Sequence, residues 1–170
     1  MPRISLSPKF IKETIQLFRE KSLKELIFGK KVCFSAREVE LVEWIKRHPS
    51  EFKQQGGRQG VFVKIDPIHK GAGTVYLLPN RLGDEMRESI LIFDDDVKIT
   101  QGPDLWVYLS TNGNIKKEGL GEFIDLGLMK GNKGGQTYVI LSPIVDLAHY
   151  RSTVIWCKQF SVLFSFATLT

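Results

Sequence analysis

Apolar positions recur along this chain with two different periods, and the change of period divides it. In the first third, Phe10, Ile11, Ile15, Phe18, Leu23, Leu26 and Ile27 follow one another at helical spacing. Ser7 can cap that helix, Pro8 takes the first position, where a missing N–H costs nothing, and Gly29 supplies a stop. A second helix starts at Ser35, with Glu38 three residues on in the capping-box pattern. It carries Val39, Leu41, Val42 and Ile45 along one side and ends at His48 and Pro49. Each helix has one apolar face to bury, and neither is stable alone. They are expected to form a hairpin, to pack on the rest of the chain, or to pair between chains as a homo-oligomer.

The polar, glycine-rich stretch "KQQGGRQG", residues 53–60, reads as a hinge. Beyond it come short β-type runs separated by Gly, Pro, Asn and Asp: "GVFVKID", "AGTVYLLP", "ESILIF", "DLWVYLS", "EFIDLG", "QTYVIL", "STVIWC" and "FSVLFSFA". The predicted fold is mainly β, an antiparallel β-sandwich of about eight strands over residues 57–170. A basic α-helical extension over residues 1–56 precedes it, so the chain is α+β overall. In the last run, Phe160, Val162, Phe164 and Phe166 alternate with Ser161, Leu163, Ser165 and Ala167. That predicts one mainly aromatic face and one of mostly small residues. In "STVIWC", Cys157 shares parity with Thr153 and Ile155, opposite Val154 and Trp156. Both sets are apolar, so parity leaves the inward face open.

Composition adds bounds. At 170 residues, 42% hydrophobic and 25% charged, the chain is long enough to bury a proper core. No apolar run reaches the roughly 18 residues of a membrane helix, and "MPRISLSPKF" lacks the apolar segment of a signal peptide. The chain as it stands is therefore expected to be a soluble cytoplasmic protein, exported only if it is truncated, and a membrane is not an expected partner. The net charge of +5 lies wholly in the first third: residues 1–56 hold twelve Lys/Arg against seven Asp/Glu, and residues 57–170 hold twelve against twelve. A solvated helix face accounts for this excess better than nucleic acid does, since no nucleic-acid reading motif accompanies it.

Candidate chemistry is sparse. Cys33 and Cys157 are too few for a disulfide framework and lack the paired spacing of a zinc site, so both are expected as free thiols. Cys157 has no CxxC partner. A reactive thiolate there needs a cation, and Lys158 and Arg151 are near in sequence. Free cysteine is also a common core residue, so packing and a redox or ligand role both stand. His69, in "PIHKGAG", can ligate haem iron or a metal as a neutral imidazole, with Cys157 as the other axial group, or can serve as a turn histidine. Asp94, Asp95 and Asp96 lack the spacing of a calcium loop and read as a solvated turn, while Asp104 is placed to accept backbone N–H bonds at a strand start. "MKGNKGGQ", residues 129–136, reads as a tight connection ahead of an anion cradle. His48, His69 and His149 are far apart in sequence, and no nucleophile elbow, HExxH or dinucleotide fingerprint occurs. No catalytic constellation is evident, and the chain is not expected to be an enzyme by itself.

"IHKGAG" (68–73), "GPDLWVYLS" (102–110), "DLGLMKGNKGGQTY" (125–138), "DLAHYRSTVIWC" (146–157) and "FSVLFSFATL" (160–169) occur in that order. Together they resemble the DM-thirteen domain over about residues 57–170. The helical first third has no place in the family pattern. Ala72 stands where the family usually has serine and Ser165 where it has glycine, and Leu141 and Ser142 intervene before Pro143. The resemblance implies a β-domain, found alone or beside DOMON and b-type cytochrome modules, that takes part in electron transfer with a redox partner protein. It also implies that the cysteine of the Trp156–Cys157 pair acts as a bare thiol or holds a prosthetic group such as haem. The alternative function is a non-catalytic β-sandwich that binds a ligand or protein, with the helices mediating assembly.

Overall fold

Helix α1, Ala36–Arg47, begins where its capping box predicts. Glu38 N donates to Ser35 Oγ at 3.4 Å and Ser35 N donates to the Glu38 carboxylate at 2.7 Å. Helix α2, Pro49–Gln54, follows at once with proline in its first turn. The computed structural model describes residues 29–79, 88–141 and 146–170, and the first predicted helix, Ser7 to Ile27, lies outside them. Val42, Ile45 and Phe52 of α1 and α2 are buried against Tyr76 and Ile92 of the β-structure, with Phe52 edge-on to Tyr76 at 6.0 Å. The second helix thus packs on the rest of the chain, as one of the expectations has it.

Residues 53–60 are not a free hinge. Gln54 ends α2, and Gly57 lies so near the Phe52 ring that a Cβ there would stand 2.3 Å from it. Strand β1, Arg58–Val61, follows. The Arg58 guanidinium donates to the carbonyls of Tyr150 and Leu147, tying β1 to a 3-10 turn at Leu147–His149.

The remaining elements are β2 (Gly71–Ala72), β3 (Thr74–Leu78), β4 (Glu88–Phe93), β5 (Lys98–Ile99), β6 (Leu105–Ser110), the short helix α3 (Ile115–Glu118), β7 (Phe123–Leu128), β8 (Gln136–Leu141), β9 (Ser152–Cys157) and β10 (Val162–Thr168). Two four-stranded sheets, ordered β1-β3-β4-β8 and β10-β9-β6-β7, face each other, and β2 pairs with β5 in a short ladder. All strand pairs are antiparallel. The fold is thus mainly β, with its two longer described helices toward the N-terminus. The eight predicted runs correspond to the eight strands of the two sheets, but the first begins earlier than read. At its end the chain changes sheets: Phe62 N donates to Gly73 O and Val63 N to Phe166 O, each at 3.0 Å.

Both faces of each sheet are apolar, which is why parity could not orient β9. Val75, Leu77, Leu91, Phe93 and Tyr138 of the first sheet meet Leu105, Val107, Leu109, Ile155 and Cys157 of the second in the inner layer. The outer face of the first sheet is covered by α1 and α2, and that of the second, with Tyr108, Val154 and Phe166, by Ile115, Ile65 and Leu120. The predicted aromatic face of β10 does not exist as one face. Leu163 pairs with Trp156 and Ser165 with Ile155, so Phe164 is an extra residue in a β-bulge. The bulge sends Phe164 to the inner layer and Phe166 to the outer one, while Phe160 lies exposed in the preceding turn.

Candidate functional site: a buried thiol and its outer-face neighbours

Cys157 ends β9 and is paired across the sheet with Leu105 of β6 and Val162 of β10. Its side chain has 0% exposure. Burial pushes the thiol pKa up, aided by the Asp104 carboxylate, against the smaller opposing pull of backbone N–H groups of Phe160, Asp104 and Gln159. The thiol is therefore protonated at neutral pH. The two cations nearest in sequence turn elsewhere: Lys158 reaches over the outer face, and the Arg151 guanidinium lies beside Gly113. Cys33 is exposed, and no disulfide joins it to Cys157.

On the other side of the same strands, Trp156 stands across from Trp106. Trp106 Nε1 donates to Asp104 Oδ1 at 2.6 Å, so the Asp104 carboxylate accepts an indole N–H where backbone N–H groups were expected. Lys158 Nζ sits 3.1 Å above the centroid of the Trp106 ring and 2.7 Å from Asp125 Oδ2 on β7. Lys158 N donates to Asp104 O at 3.1 Å, which fixes the peptide that follows the thiol. Tyr108 stacks on Phe123 at 4.4 Å, and burial, with the carboxylates of Asp125 and Asp104, pushes its hydroxyl up to about 12. Sequence reading missed this cluster. Its one local signal is the spacing of Asp104, just before β6, and Trp106 two residues on, while Asp125 comes from β7 and Lys158 from the turn after β9.

His69 closes a tight turn. Asp66 Oδ1 accepts from the backbone N–H of Ile68 at 2.7 Å and of His69 at 2.6 Å, and Asp66 Oδ2 pairs with His69 Nδ1 at 2.6 Å. The bonds from His69 hold the Asp66 carboxyl down at about 2. The imidazole edge rests on Phe164 at 4.6 Å. A carboxylate on one imidazole nitrogen is the support that a metal-bound histidine has. However, no group of three His, Cys, Asp or Glu converges as a metal site among the described residues. A haem or metal held at Cys157 does not fit this arrangement, because the sulfur lies in the closed inner layer with no exposed side for an incoming ligand.

The glycine-rich loop 129–136 is a seat for another part of the chain. Lys130 N and Gly131 N donate to Gln136 Oε1, Lys133 N to Lys30 O and Gly134 N to Val97 O, so these amides are not left to cradle an anion. Gly134 has φ +88°, and a Cβ there would lie 2.1 Å from Val32 O. Val32 N in turn donates to Lys133 O at 2.8 Å, which binds the extension to the β-structure. The acidic turn is only partly solvated: Asp94 is buried with Lys46 Nζ at 2.7 Å, and Asp96 accepts from Thr74 N at 2.8 Å. Among the described residues no helix is long and apolar enough to cross a membrane.

Fold and site together define an antiparallel β-sandwich domain with a single thiol enclosed in its inner layer. A family model described as electron transfer DM13 matches residues 62–169. The chain belongs to that family, and membership supports a redox-related role and is consistent with a redox partner. No curated protein and no solved structure matches the chain.

Proposed function

We propose that this domain is a one-electron redox module in which Cys157 is the electron-carrying thiol, serving a redox partner protein. The observation that supports this reading is a sulfur without solvent exposure that nevertheless faces the backbone N–H groups of Phe160, Asp104 and Gln159. A purely apolar core site offers sulfur no donors. Converging amides stabilise the negative charge that remains once the thiol proton leaves.

Burial discriminates between redox chemistries. Thiol–disulfide exchange requires a thiolate to attack a partner's sulfur directly, and the closed inner layer denies that contact. An electron can leave without contact. In the proposed step one electron passes to a high-potential one-electron oxidant on the partner, and the thiol proton leaves to water by way of the turn after β9, whose Lys158 and Phe160 are exposed. The resulting thiyl radical returns to thiol by taking one electron from a reductant and one proton from water. His69 has no part in this step, and its pairing with Asp66 is a support of its own turn.

The test is oxidation by a photogenerated one-electron oxidant, followed by freeze-quenched electron paramagnetic resonance. A radical whose spectrum changes on incorporation of β-deuterated cysteine, and which is lost in a folded Cys157→Ser variant, is expected. An isotope-insensitive spectrum that survives in Cys157→Ser would overturn the reading and leave a non-catalytic binding module, in which Cys157 only packs.

A further inference from the structure

We propose that Trp106 is the relay through which the electron leaves Cys157, with Asp104 as the acceptor of the indole proton; this rests on the reading of Cys157 as the electron-carrying thiol. Asp104 touches both ends of the route. Its backbone N–H faces the Cys157 sulfur, and its carboxylate accepts the Trp106 indole N–H at 2.6 Å. A second connection runs through Trp156, the chain neighbour of Cys157 and the cross-strand partner of Trp106. Cys157 is closed to solvent, whereas Trp106 lies half-buried on the outer face, where a partner can approach.

Lys158 dictates the form of the step. Its ammonium, 3.1 Å above the ring centroid, opposes a second positive charge on the indole. Oxidation of Trp106 therefore requires the Nε1 proton to depart with the electron. The indole gives one electron to the partner's one-electron oxidant, and its proton moves to the Asp104 carboxylate, leaving a neutral indolyl radical. That radical takes one electron from the Cys157 sulfur while the thiol proton leaves to water by way of the turn after β9, whose Lys158 and Phe160 are exposed, and it recovers its own proton from Asp104. The net change is one electron from Cys157 to the oxidant, with Trp106 and Asp104 restored.

Trp106 is a relay and Asp104 a positioning residue for its proton, so the test reads spectra as well as rates. After a laser flash with a ruthenium polypyridyl oxidant, the intact protein is expected to show a neutral indolyl radical that decays as Cys157 is oxidised. In Cys157→Ser that radical should persist about tenfold longer or more, and in Trp106→Phe oxidation of Cys157 should slow by about the same factor. Asp104→Asn, which keeps the shape but cannot take the proton, should change the spectrum from neutral to cationic indolyl. Lys158→Met should make Trp106 easier to oxidise. If Cys157 is oxidised equally fast in Trp106→Phe, or the spectrum is unaltered in Asp104→Asn, the relay is wrong while Cys157 keeps its role. If Cys157 is never oxidised in the intact protein, the thiol reading fails and the relay with it.

Discussion

Alkylation of the native protein separates its two cysteines sharply. Cys33 is exposed, while Cys157 has 0% exposure and a thiol pKa raised by burial. Iodoacetamide attacks the thiolate of an open sulfur, so Cys33 should label at the rate of an ordinary surface cysteine. Cys157 can react only from conformations in which the inner layer between the sheets has opened. At about 5 kcal/mol, the low end for a folded domain, such a form makes up roughly one molecule in several thousand. If opening is global, labelling of Cys157 is expected to be about a thousandfold slower than that of Cys33, or slower still. Peptide mass spectrometry over a time course at neutral pH measures both rates in one sample, and in concentrated urea the two should converge. Comparable native rates would refute the enclosed sulfur, and with it the argument that burial selects electron transfer over disulfide exchange.

Cys157→Ser should fold but lose about 1–3 kcal/mol, because a hydroxyl is buried in an apolar layer. In a chain of this size that lowers the Tm by about 2–4 °C per kcal/mol, and an unchanged Tm would contradict the packing. Gly134→Ala meets both a φ of +88° and the Val32 carbonyl, and the backbone strain alone costs about 1–2 kcal/mol. Faster hydrogen exchange at the Val32 amide is expected, and unaltered exchange would show that the loop is not the seat of that segment. Burial first, and then nearby carboxylates, push the Tyr76 and Tyr108 hydroxyls up to about 12 from 10.0. A raised pKa in the folded state means stability that is complete below pH 10.0 and is lost as pH rises toward 12. The urea midpoint should fall across that window, and a flat midpoint would sink the assignment.

The redox candidate was legible because Cys157 sits in a recognisable run of residues, but its state was not. Whether a thiol is reactive depends on what surrounds the sulfur, and Leu105 and Val162 come from other strands. Lys158, the obvious activator by sequence proximity, leaves the end of β9 in a turn and reaches over the outer face to Trp106 and Asp125. The glycine-rich loop was correctly read as a tight connection. Its physical reason, the close passage of Lys30 to Val32, is a contact between segments a hundred residues apart.

Local chemistry by itself determined the capping box at Ser35 and Glu38, the end of α1 before Pro49, and the eight β-type runs, since each depends on residues within a few positions of one another. Tertiary structure decided everything that depends on what lies opposite. It chose the inner face of β9, where both faces are apolar, and inserted a bulge at Phe164 that separates two aromatic residues of equal parity. It also assembled Asp104 and Trp106 from the start of β6, Asp125 from β7 and Lys158 from the turn after β9. Periodicity specifies how a strand alternates, but strand pairing determines which neighbours each face meets, and those neighbours set the burial and charge on which the chemistry of Cys157 depends.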